Sequence, residues 1–452
     1  MANLDIIAAI ATPPGRGGIG VIRISGSNLK HFTKALLGTL PEPRHAALKS
    51  FKDVGGNVID QGIALYFPTP HSYTGEDILE LQAHGGPAVM NLLLDRCLAL
   101  GARLAQPGEF TLRAYLNNKI DLIQAESVAD LIEASTYEAA RCAANSLRGQ
   151  FSSKINDLVD RLTQLRMFIE ASINFPEDDI DGLSLSPIQE KLSQIGIRFN
   201  QIFQAAQQGK ILKEGIRIVL AGAPNVGKSS LLNQLAQDDV AIVTEIPGTT
   251  RDTIERTITI EGIVIHVVDT AGLRETNDIV EQKGIERTHA AIKNAHMILW
   301  LIDSSNLQST SIKDEILDQI PPEIPLITVR NKIDLINESA RIEIDNHNTT
   351  IHLSAKTNEG IDLLRKQILK NAGWQHYTEG EGVFMARQRH LEALTIAQAH
   401  LNAATIFTSD ESQLELLAEE LRLAQLILSS ITGEFTADDL LGEIFSHFCI
   451  GK

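Results

Sequence analysis

Read for the spacing of its apolar positions, the 452-residue chain changes texture three times. Short apolar runs come first: IAAIA, GVIRIS and IALYFP, separated by the clusters PPGRGG, FPTPHS and AQPGEF. Runs of that length bounded by Pro and Gly predict strands, and with at least one helix among them residues 1–118 read as an α+β domain. From residue 119 to 212 the pattern turns helical, with Ile155, Leu158, Val159, Leu162, Leu165 and Ile169 on one face at 3.6-residue spacing. After the acidic stretch PEDDID, Ser186 predicts an N-cap, Pro187 the first helical position and Gln189 the capping-box partner of another helix.

Residues 213–373 alternate. The runs IRIVLA, VIHVVD, MILWLID, PLITVRN and IHLSA are each followed by a loop or helical stretch, which predicts right-handed βαβ units and a mostly parallel sheet covered on both faces. Residues 374–452 are helical again, with Leu414, Leu417, Leu421, Ala424 and Leu428 on one stripe. Two helical flanks around an α/β block predict an insertion, with both flanks packing as one helical domain. The expected fold class is therefore multidomain, α/β plus α.

Composition narrows the setting. No apolar run approaches the roughly 20 residues that span a bilayer, so no membrane role is expected. The start MANLDIIAAIATPP carries Asp5 and no basic segment, and reads as a first strand rather than a signal peptide. Three cysteines, Cys97, Cys142 and Cys449, offer no disulfide framework and suit a reducing, cytoplasmic setting. The net charge of −17 argues against a broad basic surface, yet it is unevenly spread. Residues 1–118 hold 10 Lys and Arg against 9 Asp and Glu, while residues 374–452 hold 4 against 12.

The chemistry is concentrated in the α/β block. GAPNVGKS, residues 222–229, fits G-x-x-x-x-G-K-[ST] between a strand and a helix, where backbone N–H groups from Asn225, Val226, Gly227, Lys228, Ser229 and Ser230 can wrap a phosphate. Lys228 is placed to reach the β- and γ-phosphates and Ser229 to ligate Mg²⁺. DTAG (Asp269, Thr270, Ala271, Gly272) ends a strand, where a carboxylate serves the Mg²⁺ shell and Gly272 offers an N–H to the γ-phosphate. NKID (Asn331, Lys332, Ile333, Asp334) ends another, and its Asp334 can accept two hydrogen bonds from guanine that adenine cannot supply. Ser354, Ala355 and Lys356 close the base pocket. Four such elements in order, each at a strand's C-terminal end, predict a Ras-like P-loop domain that hydrolyses GTP. Where Ras-like proteins place a water-orienting Gln, this chain has Leu273. Arg274, Glu275, Asp278 and Glu281 follow, and spacing does not choose among them.

GAPNVGKSS, TEIPGTTRD, DTAGLRE and NKID, taken with ATPPGRGGIGVIRISG and GEDILELQAHGG near the start and CIGK at the end, resemble the tRNA-modification GTPase family MnmE, also called TrmE. The resemblance covers essentially the whole chain. It implies G domains that dimerise across the nucleotide and use K⁺ where other GTPases use an arginine finger. Asn225 would ligate K⁺ with oxygens of Thr244, Ile246 and Thr249. Thr250 would join Ser229 on Mg²⁺, and Glu245, Pro247 and Gly248 complete the GTP-binding switch loop, Pro247 only stiffening it. Glu281 matches the glutamate that orients the attacking water through a second water. The first domain is expected to dimerise and to bind 5-formyltetrahydrofolate or a related tetrahydrofolate through Arg23, Glu80, Lys119 and the terminal Lys452. With an FAD-containing partner of the MnmG type, the family modifies C5 of the wobble uridine in certain tRNAs with a carboxymethylaminomethyl-type group.

Several motifs invite other readings. Gly15 to Gly20 satisfies G-x-G-x-x-G, but a strand follows it, so no helix N-terminus faces a pyrophosphate. His84 could be a base or a turn histidine, and the acidic run from Glu177 to Asp181 reads as a solvated loop. An RNA-binding assembly GTPase would want a basic module after the G domain, where this chain is acidic. A scaffold without chemistry would leave the ends of the chain unexplained. HFCIGK lacks the residues of a prenylation box. A buried core thiol remains open for Cys449, beside a catalytic one: a nearby cation such as Lys452 favours thiolate, and the resemblance places this tail at the folate pocket.

Overall fold

The computed structural model describes residues 5–174, 185–236, 255–269, 292–306, 321, 324–345, 348–375, 383–434, 444–445, 448 and 451. The chain forms two compact units. One comprises residues 1–129, 152–175 and 415–452, the other residues 130–151 and 176–414. Among the described residues no helix is long and apolar enough to cross a membrane.

The first unit is built on a six-stranded sheet in the order β3-β4-β5-β2-β1-β6. Its strands are β1 (Ile7–Ile10), β2 (Gly17–Gly26), β3 (Ala47–Lys52), β4 (Val58–Phe67), β5 (Asp77–Gly85) and β6 (Arg103–Leu104). Neighbours run antiparallel except β1 and β6. Alternation explains the burial: Ile22 and Ile24 of β2 and Leu79 and Leu81 of β5 point into a core shared with helices α1 (Lys30–Leu37) and α2 (Pro87–Ala99). Arg23 and Glu80, on the opposite face, are direct register partners. Strand β2 begins at Gly17, inside the PPGRGG cluster read as a separator, and runs on through VIRIS, so the glycines do not form a turn before a helix. Helices α3 (Glu109–Leu116), α4 (Leu122–Glu133) and α6 (Gln150–Asn174) follow, with α5 (Tyr137–Leu147) between the last two belonging to the second unit; α6 buries the predicted stripe through Ile155, Leu158, Leu162, Leu165 and Ile169.

The second unit carries a seven-stranded sheet in the order β12-β13-β11-β10-β7-β9-β8. Five strands run parallel to one another: β7 (Ile216–Gly222), β9 (Ile263–Asp269), β10 (Met297–Asp303), β11 (Leu326–Asn331) and β13 (Asn348–His352). The first four are runs that the sequence pattern picks out; of the fifth run, IHLSA, only Ile351 and His352 lie in β13, which begins at Asn348. Its edges, β8 (Glu255–Ile260) and β12 (Arg341–Asp345), are antiparallel and escape that pattern. In β12 a charged residue stands at every second position, so no apolar run marks it.

Helix α7 (Leu185–Glu214) is described from Leu185. Ser186 and Pro187 therefore lie inside its first turn rather than at its boundary, a turn in which a missing N–H costs no intrahelical bond. The sheet's chain entry and exit meet at one buried carboxylate. Asp130 accepts from Lys213 (2.7 Å), just before β7, and from Arg387 (2.8 Å), just before α10 (Gln388–Phe407). Nearby, the Met385 N–H donates to Ser146 Oγ at 2.8 Å, and the Phe384 ring stacks on Phe151 with centroids 4.1 Å apart. Helices α8 (Lys228–Leu235) and α9 (Ile361–Asn371) pack on the sheet, and α11 (Leu414–Thr432) completes the described helices.

Candidate functional site

In the second unit the site lies where β7, β10 and β11 end. Between β7 and α8 the backbone turns through Asn225 at φ 64° and Gly227 at φ 98°. Both are left-handed, a conformation Asn tolerates and Gly takes without strain. A Cβ at Gly227 would stand 2.3 Å from Asn331 Nδ2, so the glycine is also required by close approach. That amide donates to the Val226 carbonyl at 2.8 Å, while Asn331 Oδ1 accepts from the N–H groups of Lys332 (2.8 Å) and Ala355 (2.9 Å). One buried side chain thus ties the phosphate loop to both base loops.

Lys228 Nζ donates to Gly222 O at 2.6 Å, and Ser229 and Ser230 are exposed in the first turn of α8. An exposed hydroxyl at that point fits a hard, oxygen-seeking Mg²⁺, and the exposed Asn225 amide fits a monovalent cation beside the same loop. Ile333 is buried beneath the 3₁₀ turn Ile333–Leu335. Ser354 Oγ donates to Asp334 Oδ1 at 2.7 Å, which orients the carboxylate and leaves its second oxygen to a base edge. Lys356 is exposed beside it.

Asp303 belongs to this site although sequence reasoning missed it. It ends β10 and accepts from Lys332 Nζ at 2.6 Å. Burial pulls its carboxyl up, and the hydrogen bonds from Lys332 and Ser305 pull it further down, for a net value below the ordinary one. Its position at the C-terminal end of a parallel strand was the available signal.

In the first unit, Arg23 Nε donates to Glu80 Oε1 at 2.9 Å. The guanidinium lies over the rings of Tyr73 (5.6 Å) and Phe110 (5.8 Å), neither of which the sequence singled out. Lys119 Nζ donates to the Pro70 carbonyl at 3.0 Å, so the loop carrying Tyr73 also receives Lys119. Arg23 Nη1 makes a long 3.4 Å hydrogen bond to the Gly451 carbonyl, and a Cβ at Gly451, whose φ is 98°, would stand 2.6 Å from the Ile10 carbonyl oxygen, so only glycine fits there. A cationic fork beside two aromatic faces fits a flat ligand bearing carboxylates, as a folate does. Behind it Arg113 binds Asp5 (2.8 Å), Glu76 (3.0 Å) and Glu109 (3.0 Å). Burial pushes the Tyr73 phenol up, and Thr111 and Arg23 draw it partly back.

Exposed His84 lies within β5 rather than in a turn and pairs with Asp60 of β4 at 3.0 Å. Burial pushes the Cys97 thiol up to about 12 and the Cys142 thiol up to about 11, so neither is a ready nucleophile. Among the sequence-predicted residues, Thr244, Glu245, Ile246, Pro247, Gly248, Thr249, Thr250, Thr270, Ala271, Gly272, Glu281, Cys449 and Lys452 lie outside the described residues, as do Leu273, Arg274, Glu275, Asp278 and the run 177–181. Asp269 ends β9.

The family model for the MnmE helical domain matches residues 122–449, and the one for the GTP-binding protein TrmE N-terminus matches residues 6–119. The chain belongs to the MnmE family. Relatives named tRNA modification GTPase MnmE include those of Nitrosomonas europaea, 61% identical over 100% of both chains, and of Neisseria meningitidis serogroup B, 54% identical over 100% of this chain and 99% of that one. Among solved structures, the G domain of the T. maritima FeoB protein is 28% identical over 35% of this chain and 98% of its own, with a TM-score of 0.26. The family assignment rests on the full-length relatives and the two family models. It joins both candidate sites in one MnmE-type chain, the nucleotide loops in one unit and the Arg23–Glu80 pair in the other.

Proposed function

We propose that this chain binds and hydrolyses GTP and that this hydrolysis serves the modification of tRNA. The observation that carries the nucleotide half is the Asn331 side chain, which ties the phosphate loop to the Asp334 and Ser354 base loops. The tRNA half is supported by the full-length MnmE relatives. Asp334 selects guanine through paired hydrogen bonds, and Lys228 and the N-terminus of α8 meet the phosphates. Mg²⁺ on Ser229 and Thr250, and K⁺ on Asn225 with oxygens of Thr244, Ile246 and Thr249, offset charge between the phosphates when bound. Glu281 orients the attacking water in the place of the missing Gln.

The one-carbon half of the proposal concerns the first unit. Arg23, Glu80, Lys119 and Lys452 hold a tetrahydrofolate, and Cys449 serves the uridine step. An FAD-dependent MnmG-type protein completes the reaction, in a cytoplasmic homodimer joined through residues 1–118. The position of Gly451 beside Arg23 supports bringing the tail to this pocket.

The deciding experiment measures GTP and ATP turnover in K⁺ and in Na⁺ at equal ionic strength. GTP alone should turn over rapidly, faster in K⁺ by about two to three decades, the usual worth of one transition-state electrostatic contact. Equal rates in the two salts would remove the K⁺ role, and equal use of ATP would remove the guanine reading. For the other half, Cys449→Ser should abolish uridine modification with GTP turnover and thermal midpoint unchanged; joint loss of stability would make the thiol a core residue.

A further inference from the structure

A second electrostatic feature of the first unit is unconnected with the Arg23 pocket. Residues 30–52 hold Lys30, Lys34, Arg44, Lys49 and Lys52 against a single acid, Glu42, in a chain of net charge −17. Lys30, Lys34, Arg44 and Lys52 are exposed and Lys49 is half-buried. They lie on α1, the loop after it, and β3, the edge strand against which α1 packs; alternation sets Lys49 on the face of buried Phe51, toward α1, and Lys52 on the opposite face at the strand's end. Lys49 Nζ donates to Thr39 Oγ1 at 2.9 Å and so lies beside the end of α1.

Among the described residues none of these five cations forms an ion pair. Lys49 and Arg44 donate to neutral oxygens, Thr39 Oγ1 and the His71 carbonyl. Other cations of the chain pair closely with carboxylates, as Arg103, Arg113, Lys213 and Arg387 do. An acidic protein that leaves a run of cations unneutralised presents a surface for an external polyanion.

We propose that α1 and β3 form a docking ridge for the phosphate backbone of tRNA. Lys30 and Lys34 lie one helical turn apart, about 6 Å along the axis, and Lys49 and Lys52 flank the free edge of β3 from its two faces, about 10 Å apart along the strand. Point charges on long stems at such intervals match a row of phosphates. The aromatic residues of the stretch, Phe32 and Phe51, are buried, so the ridge offers no stacking platform and holds RNA without reading bases. This inference rests on the reading of the chain as a tRNA-modifying protein and adds the surface that holds the RNA.

The test is equilibrium binding of fluorescently labelled unmodified tRNA to the full chain between 50 and 200 mM salt. The variant is Lys30→Glu/Lys34→Glu/Lys49→Glu/Lys52→Glu, with the all-Arg version of the same four positions as the rescue. Loss of four phosphate contacts should flatten the log-affinity against log-salt slope by about 2.8 to 3.6, so that about 50- to 150-fold of the parent's salt-induced loss disappears. The all-Arg chain should bind as the parent does, and GTP turnover should stay at the parent rate in all three. An unchanged slope and affinity in the Glu variant overturn the ridge while leaving the tRNA reading intact. A parent chain that binds no tRNA at 50 mM salt overturns both. Retained tRNA binding with lost capture of the FAD-dependent partner reassigns the ridge to a protein surface and also overturns the proposal.

Discussion

The two candidate sites are built on different principles. In the nucleotide unit the phosphate loop is drawn by backbone: two left-handed residues, Asn225 and Gly227, aim N–H groups, and a single side chain, Asn331, ties the loops together. In the N-terminal unit recognition falls to side chains from separate elements, Arg23 on β2, Glu80 on β5, Tyr73 on a loop and Phe110 on α3, met by the Gly451 carbonyl from the far end of the chain. A backbone site depends on conformation and tolerates change in most side chains. A side-chain site depends on each residue and on the folding that gathers them.

The largest expected effect tests the backbone half. Gly227→Val forces a branched side chain onto a φ of 98° and into the Asn331 amide, 2.3 Å from where its Cβ would stand. Strain and displacement together should weaken labelled GTP binding by about 100-fold or more. Binding of a tetrahydrofolate, followed by its fluorescence change, should remain within about twofold of the parent, since that site lies in the other unit. A variant that lost both would show the two sites to be coupled and would break the comparison.

Arg23→Ala is the converse. It leaves Glu80 without its cation and removes the guanidinium over Tyr73 and Phe110. Loss of charged hydrogen bonds of this kind costs about 1.5–3 kcal/mol, so tetrahydrofolate affinity should fall by about 10- to 100-fold at unchanged GTP turnover. Arg23→Lys should recover little, because an ammonium restores the charge without the planar fork. Full recovery by lysine would reduce the site to simple charge attraction.

Asn331→Ala comes next. It strips partners from the Val226 carbonyl and the Ala355 N–H, for about 1–3 kcal/mol. Calorimetry should show a transition lowered by about 2–10 °C, with weaker GTP binding. A lower midpoint at normal GTP affinity would make Asn331 a fold residue only.

The smallest effect is acid dependence. Because the folded Asp303 carboxyl lies below its ordinary value of 3.8, its contribution to stability is complete above that value and lost as pH falls through the lower folded one. Lys332→Met should therefore lower the thermal midpoint slightly at pH 7, and the difference should shrink only below pH 3.8, closing as the pH passes the folded Asp303 value. A gap that persisted into strong acid would assign the effect to packing of the lysine stem.

What the sequence determined by itself was whatever is local. Strands β7, β9, β10 and β11 are apolar runs, β7 and β10 buried almost throughout, and the phosphate and base loops follow at strand ends, so spacing along the chain was enough to find them. The α6 stripe was legible because helical period and burial coincide. Edges β8 and β12, half solvated and without apolar runs, were not. The tertiary structure alone decided that Asn331 bridges Val226 and Ala355, that Asp303 holds Lys332, and that Tyr73, Phe110 and Gly451 surround Arg23. It also decided that Asp130 receives both Lys213 and Arg387. These contacts join residues tens to hundreds of positions apart. A periodic signal carries no information across such a distance, because the partner of a buried polar group is chosen by which elements the folded core brings side by side.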